Sequence, residues 1–289
     1  MFVGTLIYGL VKSVTLALIA IGFNLTFGIS GVANFAYGAL YVLAGYTAWF
    51  LLKFLGWPYA LAAIVSVAFV SLIGAAIYRF CLLRVRGQVM SEIIVTFGFG
   101  LVILEVLRFI VGGVGYHLPV IIDDSFPILD IFMDMQRAII VLVGAILVFS
   151  LWLFTHHNRT GLAFRGIAQN ERTALSLGIN SDRIGTLSVA LGAGLAAIAA
   201  IVILPLGTVS IIEGYDVLLN ALAICIIGGL GSIGGVVLAS FIIGFGQQFV
   251  DSYVGSEWTM IVSLAAIILI LVIKPSGLYG KQKELEERI

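Results

Sequence analysis

Between Lys12 and Lys53 the chain runs for 40 residues without a charged side chain. A membrane-crossing helix takes up about 20 apolar residues, so this run is too long for one crossing. It divides where Gly28-Ile29-Ser30-Gly31 interrupts it. A second uncharged run, residues 217–250, is divided in the same way by Gly228-Gly229-Leu230-Gly231-Ser232-Ile233-Gly234-Gly235. No water-soluble core of this size could hide such runs. The composition agrees, with 61% hydrophobic and 10% charged residues against about 25% charged in soluble domains. Continuous rather than alternating apolar residues also exclude a membrane β-barrel. The expected fold class is therefore all-α, a polytopic transmembrane helical protein. A cytosolic enzyme, a nucleic-acid binder and a disordered chain are excluded.

Read this way, the chain has about nine segments, with eight to ten allowed because glycine-interrupted segments can be re-entrant. They fall near 5–27, 32–52, 58–78, 91–111, 138–155 and 184–204, two shorter pieces lie within 217–250, and the last is 258–273. Residues 1–289 read as one membrane domain with a short polar tail at 281–289. Residues 1–26 lack a basic leading region and read as a retained first span rather than a cleaved signal.

Basic residues set the expected orientation, because Lys and Arg concentrate in the cytoplasm. Arg79, Arg84 and Arg86 form one group; Arg159, Arg165, Arg172 and Arg183 a second; Lys274, Lys281, Lys283 and Arg288 a third. The opposite faces hold Lys12, Lys53 and Arg137, and Arg108 lies inside a span. The C-terminus is expected in the cytoplasm, the 112–137 loop and the N-terminus outside, in a cell (inner or plasma) membrane.

Catalytic patterns are missing from this sequence. His117, His156 and His157 form no H-E-x-x-H, and there is no G-x-x-x-x-G-K-[ST] for ATP. Cys81 and Cys225 show no metal or redox spacing and read as buried thiols. The expectation is a transport protein, not an enzyme, with no metal and no cofactor. Acids at membrane depth are few. Glu105 and Arg108, three apart on one helix face, read either as a self-satisfying pair or as part of a path. Glu213, Tyr215 and Asp216 stand either in a wet outer loop or at a solute.

Broken helices in two corresponding places are a pointer to a transport site. One break is followed by Val32-Ala33-Asn34-Phe35-Ala36-Tyr37-Gly38, and the other is preceded by Asn220. Unwound backbone there offers N–H and C=O groups to a zwitterionic solute; the competing reading is that the glycines only allow close helix crossing. Asn34 and Asn220 are uncharged polar groups that want partners, helix or ligand. The candidate residues of the path are Asn34, Phe35, Gly38, Glu213, Tyr215 and Asn220.

The loop 156–183 is long for a protein with otherwise short turns. Within it, 169–178 reads as a short helix with Asn170 as its cap and Gly178 as its stop. Ala174, Leu175 and Leu177 share an incomplete apolar face, suited to the membrane surface or to a soluble partner's groove.

Three stretches carry a resemblance. Arg159-Thr-Gly161-Leu-Ala163-Phe-Arg165-Gly-Ile-Ala168-Gln-Asn170 through Ala174-Leu-Ser-Leu-Gly178-Ile179-Asn180 resembles the coupling-helix region of branched-chain amino-acid ABC transporter permeases. Leu18-Ile-Ala-Ile-Gly22 with 28–38 resembles the N-terminal signature of the same family, and 228–235 resembles a third of its motifs. The likeness covers nearly the whole chain and is nearer to the shorter, H-type permease than to the longer, M-type one.

That resemblance implies an importer for Leu, Ile or Val. Its implied partners are an extracytoplasmic amino-acid-binding protein, a second permease of the same family and two cytosolic ATPase subunits, all around a lipid bilayer. It implies an ATPase-docking coupling helix at 170–178, with Arg165, Asn170, Ala174, Leu177 and Gly178 as its candidate residues. Ala174 and Gly178 match the small residue and the glycine of the general E-A-A…G loop; Arg172 stands where its Glu would be and Thr173 where an Ala would be. Any salt bridge assigned to that Glu is not carried over. Gly31, Ala33, Phe35 and Gly38 suit a wide path lined by small or apolar groups. Urea and short-chain amide permeases resemble the same motifs and remain the alternative, with a stand-alone carrier or channel behind them.

Overall fold

The structure is a computed structural model and describes residues 2–30, 34–112, 114–122, 124–128 and 131–280. Gly31, Val32 and Ala33 of the first break and the tail at 281–289 lie outside the described residues. The helices are α1 (Phe2–Ser30), α2 (Tyr37–Lys53), α3 (Tyr59–Val85), α4 (Val89–Val111), α5 (Met135–His157), α6 (Arg159–Gln169), α7 (Glu171–Ser176), α8 (Ser181–Ile203), α9 (Glu213–Gly228), α10 (Ile233–Tyr253) and α11 (Thr259–Ile273). Toward its end α3 contains a π-helical turn, Tyr78–Leu82.

Among the described residues, seven helical segments are long and apolar enough to cross a membrane: α1, α3, α4, α5, α8, α10 and Ser256–Ile273, which includes α11. The other two expected segments are present but short, 17 residues in α2 and 16 in α9. They are the pieces that follow and precede the glycine breaks, and they sit inside the bundle. Twelve of the residues of α2 are buried, among them Tyr37, Leu40, Tyr41 and Val42. Around α2 pack α8, α9, α3 and α4, while α1 runs against α10, α8, α9 and α5.

The inner helix α8 is built from small residues, with Ala196, Ala197, Ala199 and Ala200 fully buried. Small side chains let backbones approach in a membrane, where packing rather than water exclusion drives association. Outer helices show the reverse pattern: α3, α4, α5 and α11 expose Leu72, Ile94, Ile146 and Val272, the surface a bilayer would cover.

One difference from the sequence expectation lies in the 112–137 loop. It contains an antiparallel hairpin, β1 (Ser125–Ile128) and β2 (Ile131–Asp134), with Ser125 opposite Asp134 and Ile128 opposite Ile131. The pairing satisfies backbone groups that a long loop would leave open. Buried Gln136 ties this loop down: its Nε2 donates to Val202 O at 2.8 Å and its Oε1 accepts from Ile121 N at 3.1 Å. The hairpin marks one end of the bundle, and α6 with α7 marks the other.

Candidate functional site

Four of the six path candidates come together where α2 and α9 begin. Gly38 meets Gly214 so closely that a Cβ on Gly38 would lie 1.8 Å from the Gly214 carbonyl oxygen. On one side of this crossing, Phe35 and Tyr215 line a narrow apolar cleft with Phe97, Gly100 and Leu218. Phe35 N donates to Thr96 Oγ1 at 3.2 Å, fixing the entry to α2 against α4. Glu213 stands in the first turn of α9, near enough to Lys12 of α1 and Tyr41 of α2 to interact electrostatically. Tyr41 was not singled out from the sequence. Its hydroxyl is buried and has no hydrogen-bond partner among the described residues. Aromatic residues four apart, Tyr37 and Tyr41, were the available signal, but they read equally well as core. The hydroxyl of Tyr37 donates to Ile19 O at 2.8 Å.

Asn34 is buried beside the junction and acts locally, its Oδ1 accepting from Ala36 N at 3.1 Å and its carbonyl from Tyr37 N at 3.0 Å. Asn220 sits elsewhere, on the opposite face of α9. Its Oδ1 accepts from Gln247 Nε2 of α10 and from Ser263 Oγ of α11, each at 3.2 Å, and its Nδ2 donates to Asp216 O at 2.9 Å. The partners it wanted are neighbouring helices. Glu105 and Arg108 form the self-satisfying pair at 2.8 Å, both well exposed.

At the second glycine break several backbone groups are already paired within the protein. Gly231 N donates to Asn24 Oδ1 at 2.9 Å, and Gly235 N to Ser232 Oγ at 3.1 Å. The carbonyls of Ile227 and Gly228, at the end of α9, accept from Leu278 N at 2.7 Å and Tyr279 N at 3.0 Å. A chain segment beyond α11 thus folds back to cap α9. Gly229 and Gly231 hold φ of 95° and 82°, left-handed values that favour glycine. The break is also a place of close packing: a Cβ on Gly28 would lie 2.7 Å from Gly231 Cα.

The loop 156–183 contains two helices rather than one. Asn158, Asn170 and Asn180 cap α6, α7 and α8, accepting from Thr160 N, Thr173 N and Arg183 N at 3.1, 3.0 and 3.0 Å. Gly178, with φ 81°, ends α7 as expected. The apolar face expected of 174, 175 and 177 is split. Ala174 is 3% exposed and belongs to a buried cluster with Phe164, Ile167 and Ile184 that also holds Ile21 and Leu25 of α1. Leu175 and Leu177 point outward, at 52% and 76% exposed. Arg165 is not on α7 at all; it stands on α6 at the wall of a groove between α1, α5 and α10. At the same end Arg86 pairs with Asp182 at 2.6 Å, joining α3 to the start of α8.

Comparison with known proteins places these features in a family context. A family model described as the permease component of branched-chain amino acid transport systems matches residues 5–271. The chain is 27% identical to the high-affinity branched-chain amino acid transport system permease protein LivH of Escherichia coli (strain K12), over 97% of this chain and 96% of that one. It is 27% identical to the corresponding permease protein BraD of Pseudomonas aeruginosa, over 96% and 95%. The permease protein LivM of Salmonella typhimurium is 25% identical, over 90% of this chain and 67% of that one. Among solved structures, PsaBC from Streptococcus pneumoniae in complex with Fab shares the fold with TM-score 0.52 at 15% identity, over 95% and 94% of the two chains.

Proposed function

The chain belongs to the family of branched-chain amino acid transport system permease components, a multi-pass membrane family, and from that premise we propose that it is the H-type permease of an ABC importer for Leu, Ile and Val. It forms the translocation path with a second, related permease in the cell membrane. ATP is hydrolysed on two separate cytosolic subunits, and an extracytoplasmic binding protein delivers the amino acid. The N-terminus and the hairpin lie outside, and the α6–α7 end and the C-terminus face the cytoplasm.

The observation that carries this reading is the division of labour on α7. Ala174 anchors the helix in the buried cluster of α6 and α8, which reaches the end of α1, while Leu175 and Leu177 stand exposed at the loop end. An exposed apolar pair on a helix with a packed back suits a groove on a soluble partner. Motion of that partner is then transmitted to α1 through Leu25 and Ile21. For the solute, the α2–α9 junction supplies what a hydrophobic amino acid needs. The cleft with Phe35 and Tyr215 is apolar but holds only about 10 Å³, so the amino acid enters as α2 and α9 part, its ammonium group then meeting the Glu213 carboxylate and the Tyr41 hydroxyl nearby.

Reconstitution decides the matter. Uptake of labelled leucine should require the second permease, the ATPases, the binding protein and ATP together. Uptake by this chain alone would overturn the importer reading, and uptake of urea but not leucine by the complete system would overturn the substrate.

A further inference from the structure

A groove of about 900 Å³ runs along the bundle between α1, α5 and α10 and ends beneath α6. Its lining on α1 extends from Leu10 to Gly28, about 27 Å at the 1.5 Å rise of a helix residue. That is close to the roughly 30 Å hydrocarbon thickness of a bilayer. Along this length the walls are apolar apart from Asn24, with Val14, Ala145, Val237 and Phe241 among them.

The α6 end is different. Arg165 is the one formally charged residue in the lining, and Thr155 and His156 stand with it. Among the described residues Arg165 forms no ion pair. The Nδ1 atom of His156 is engaged with Trp152 O at 2.8 Å, and the two rings stack with centroids 4.9 Å apart. Trp152 at this level suits a membrane interface, where tryptophan is enriched. Among the described residues no Asp or Glu lines the groove.

We propose that this groove is a binding site for a phospholipid with an anionic headgroup, its acyl chains along α1, α5 and α10 and its phosphate on Arg165 and His156. Charge selects the headgroup. A guanidinium presents a planar fork of donors that matches phosphate oxygens. A choline or ethanolamine cation finds no carboxylate among the described lining residues to meet it. Basic pockets between transmembrane helices at the cytoplasmic side are where anionic headgroups settle. The site rests on the orientation proposed above, with the α6–α7 end in the cytoplasm, and not on the identity of the transported solute.

The test uses the purified full-length chain incubated with phosphatidylglycerol or with phosphatidylcholine of the same acyl chains, and native mass spectrometry to count retained lipid. Phosphatidylglycerol should stay bound and phosphatidylcholine should not. Arg165→Ala should lower phosphatidylglycerol retention about fivefold, the effect of one basic group near the headgroup region. Arg165→Lys, which keeps the charge and loses the fork, should retain more than Arg165→Ala and less than the wild type. Ala145→Trp, from an exposed position on the groove wall, should plug the groove and abolish retention. Equal retention of both lipids overturns the proposal, because the groove then takes only acyl chains. Displacement of the lipid by a co-purified second permease overturns it too, because the groove is then a protein interface. Should Arg165→Ala fail to fold, Ala145→Trp decides: phosphatidylglycerol held with the groove plugged sinks the idea.

Discussion

Asn24, 1% exposed in α1, accepts a 2.9 Å hydrogen bond at its side-chain oxygen from the backbone N–H of Gly231 in the break between α9 and α10. Four residues further along α1, Gly28 touches the same glycine. The next residue after Asn24, Leu25, packs in the cluster that holds Ala174 of α7 and borders Ile233 of the break. The end of α1 therefore lies between the α6–α7 loop and the break, in contact with both.

Removing the acceptor should be costly. Asn24→Leu removes the acceptor of the Gly231 N–H in a part-buried bond, worth about 0.5–1.5 kcal/mol, the net contribution of one ordinary hydrogen bond. The thermal midpoint of the purified protein should fall, and faster amide exchange should be confined to 229–232. An unchanged midpoint together with unchanged exchange would show that the break does not need α1.

The α2–α9 crossing makes a sharper contrast between two glycines. Gly38→Ala places a Cβ 1.8 Å from a backbone oxygen of Gly214, and backbone cannot rotate away. The two helices must separate, at the roughly 1–3 kcal/mol typical of overpacking, and transport should fall with stability. Gly98→Ala on α4 meets nothing within 4 Å and should gain about 0.5–1 kcal/mol from helix propensity with transport unchanged. Equal melting temperatures for the two variants would contradict the geometry.

Tyr41 separates a solute contact from a packing residue. Its hydroxyl makes no protein hydrogen bond among the described residues, so Tyr41→Phe should leave the thermal midpoint unchanged or raise it. If the hydroxyl meets the amino acid, the KM for uptake rises by about fivefold or more, the equivalent of one lost hydrogen bond of about 1 kcal/mol. An unchanged KM removes Tyr41 from the path.

The docking face predicts two different failures from neighbouring positions. Leu177→Asp changes a side chain that is 76% exposed and should leave folding intact while reducing co-purification of the ATPase subunits. Loss of a central contact is worth about 1 kcal/mol or more. Ala174→Arg buries a charge against Phe164 and Ile184, so α7 itself should come loose and the 156–183 loop should become sensitive to protease. Full ATPase retention by Leu177→Asp would remove the docking face.

Much of the fold was legible because charge is scarce. The uncharged runs at 13–52 and 217–250 and their glycine breaks anticipate the short inner helices α2 and α9. The cap at Asn170 and the stop at Gly178 were readable because their chemistry is local. What sequence could not supply was which way a residue points. Ala174 and Leu175 are neighbours with similar apolar character, yet one is buried and the other exposed, because Phe164 and Leu25 arrive from other elements. The same holds for Asn24. It lies 207 residues from Gly231, and an asparagine inside an apolar helix carries no local mark of the backbone it will cap. Asn158 and Asn180 were readable as caps by the rule that identified Asn170, since each precedes a helix-forming stretch.

Asn220 is the path candidate whose surroundings argue for a structural task. Its side-chain oxygen, Gln247 Nε2 and Ser263 Oγ close a triangle across α9, α10 and α11, with a 2.7 Å bond from Gln247 to Ser263. Gln247 and Ser263 are both buried. Interhelical hydrogen bonds in membranes contribute about 0.6–2 kcal/mol, whereas leaving one partner unpaired costs the full desolvation penalty of that group. Asn220→Leu alone, which removes the acceptor shared by the Ser263 hydroxyl and Gln247 Nε2, should therefore destabilise more than the triple replacement Asn220→Leu, Gln247→Leu, Ser263→Ala, in which no polar atom is stranded. Thermal unfolding of the two variants in the same detergent checks the order, and uptake assays check the function. With the triangle structural, the triple variant should transport leucine with an unaltered KM once its stability is matched. A raised KM in a triple variant that melts like the wild type would return Asn220 to the solute path and place α10 and α11 beside it.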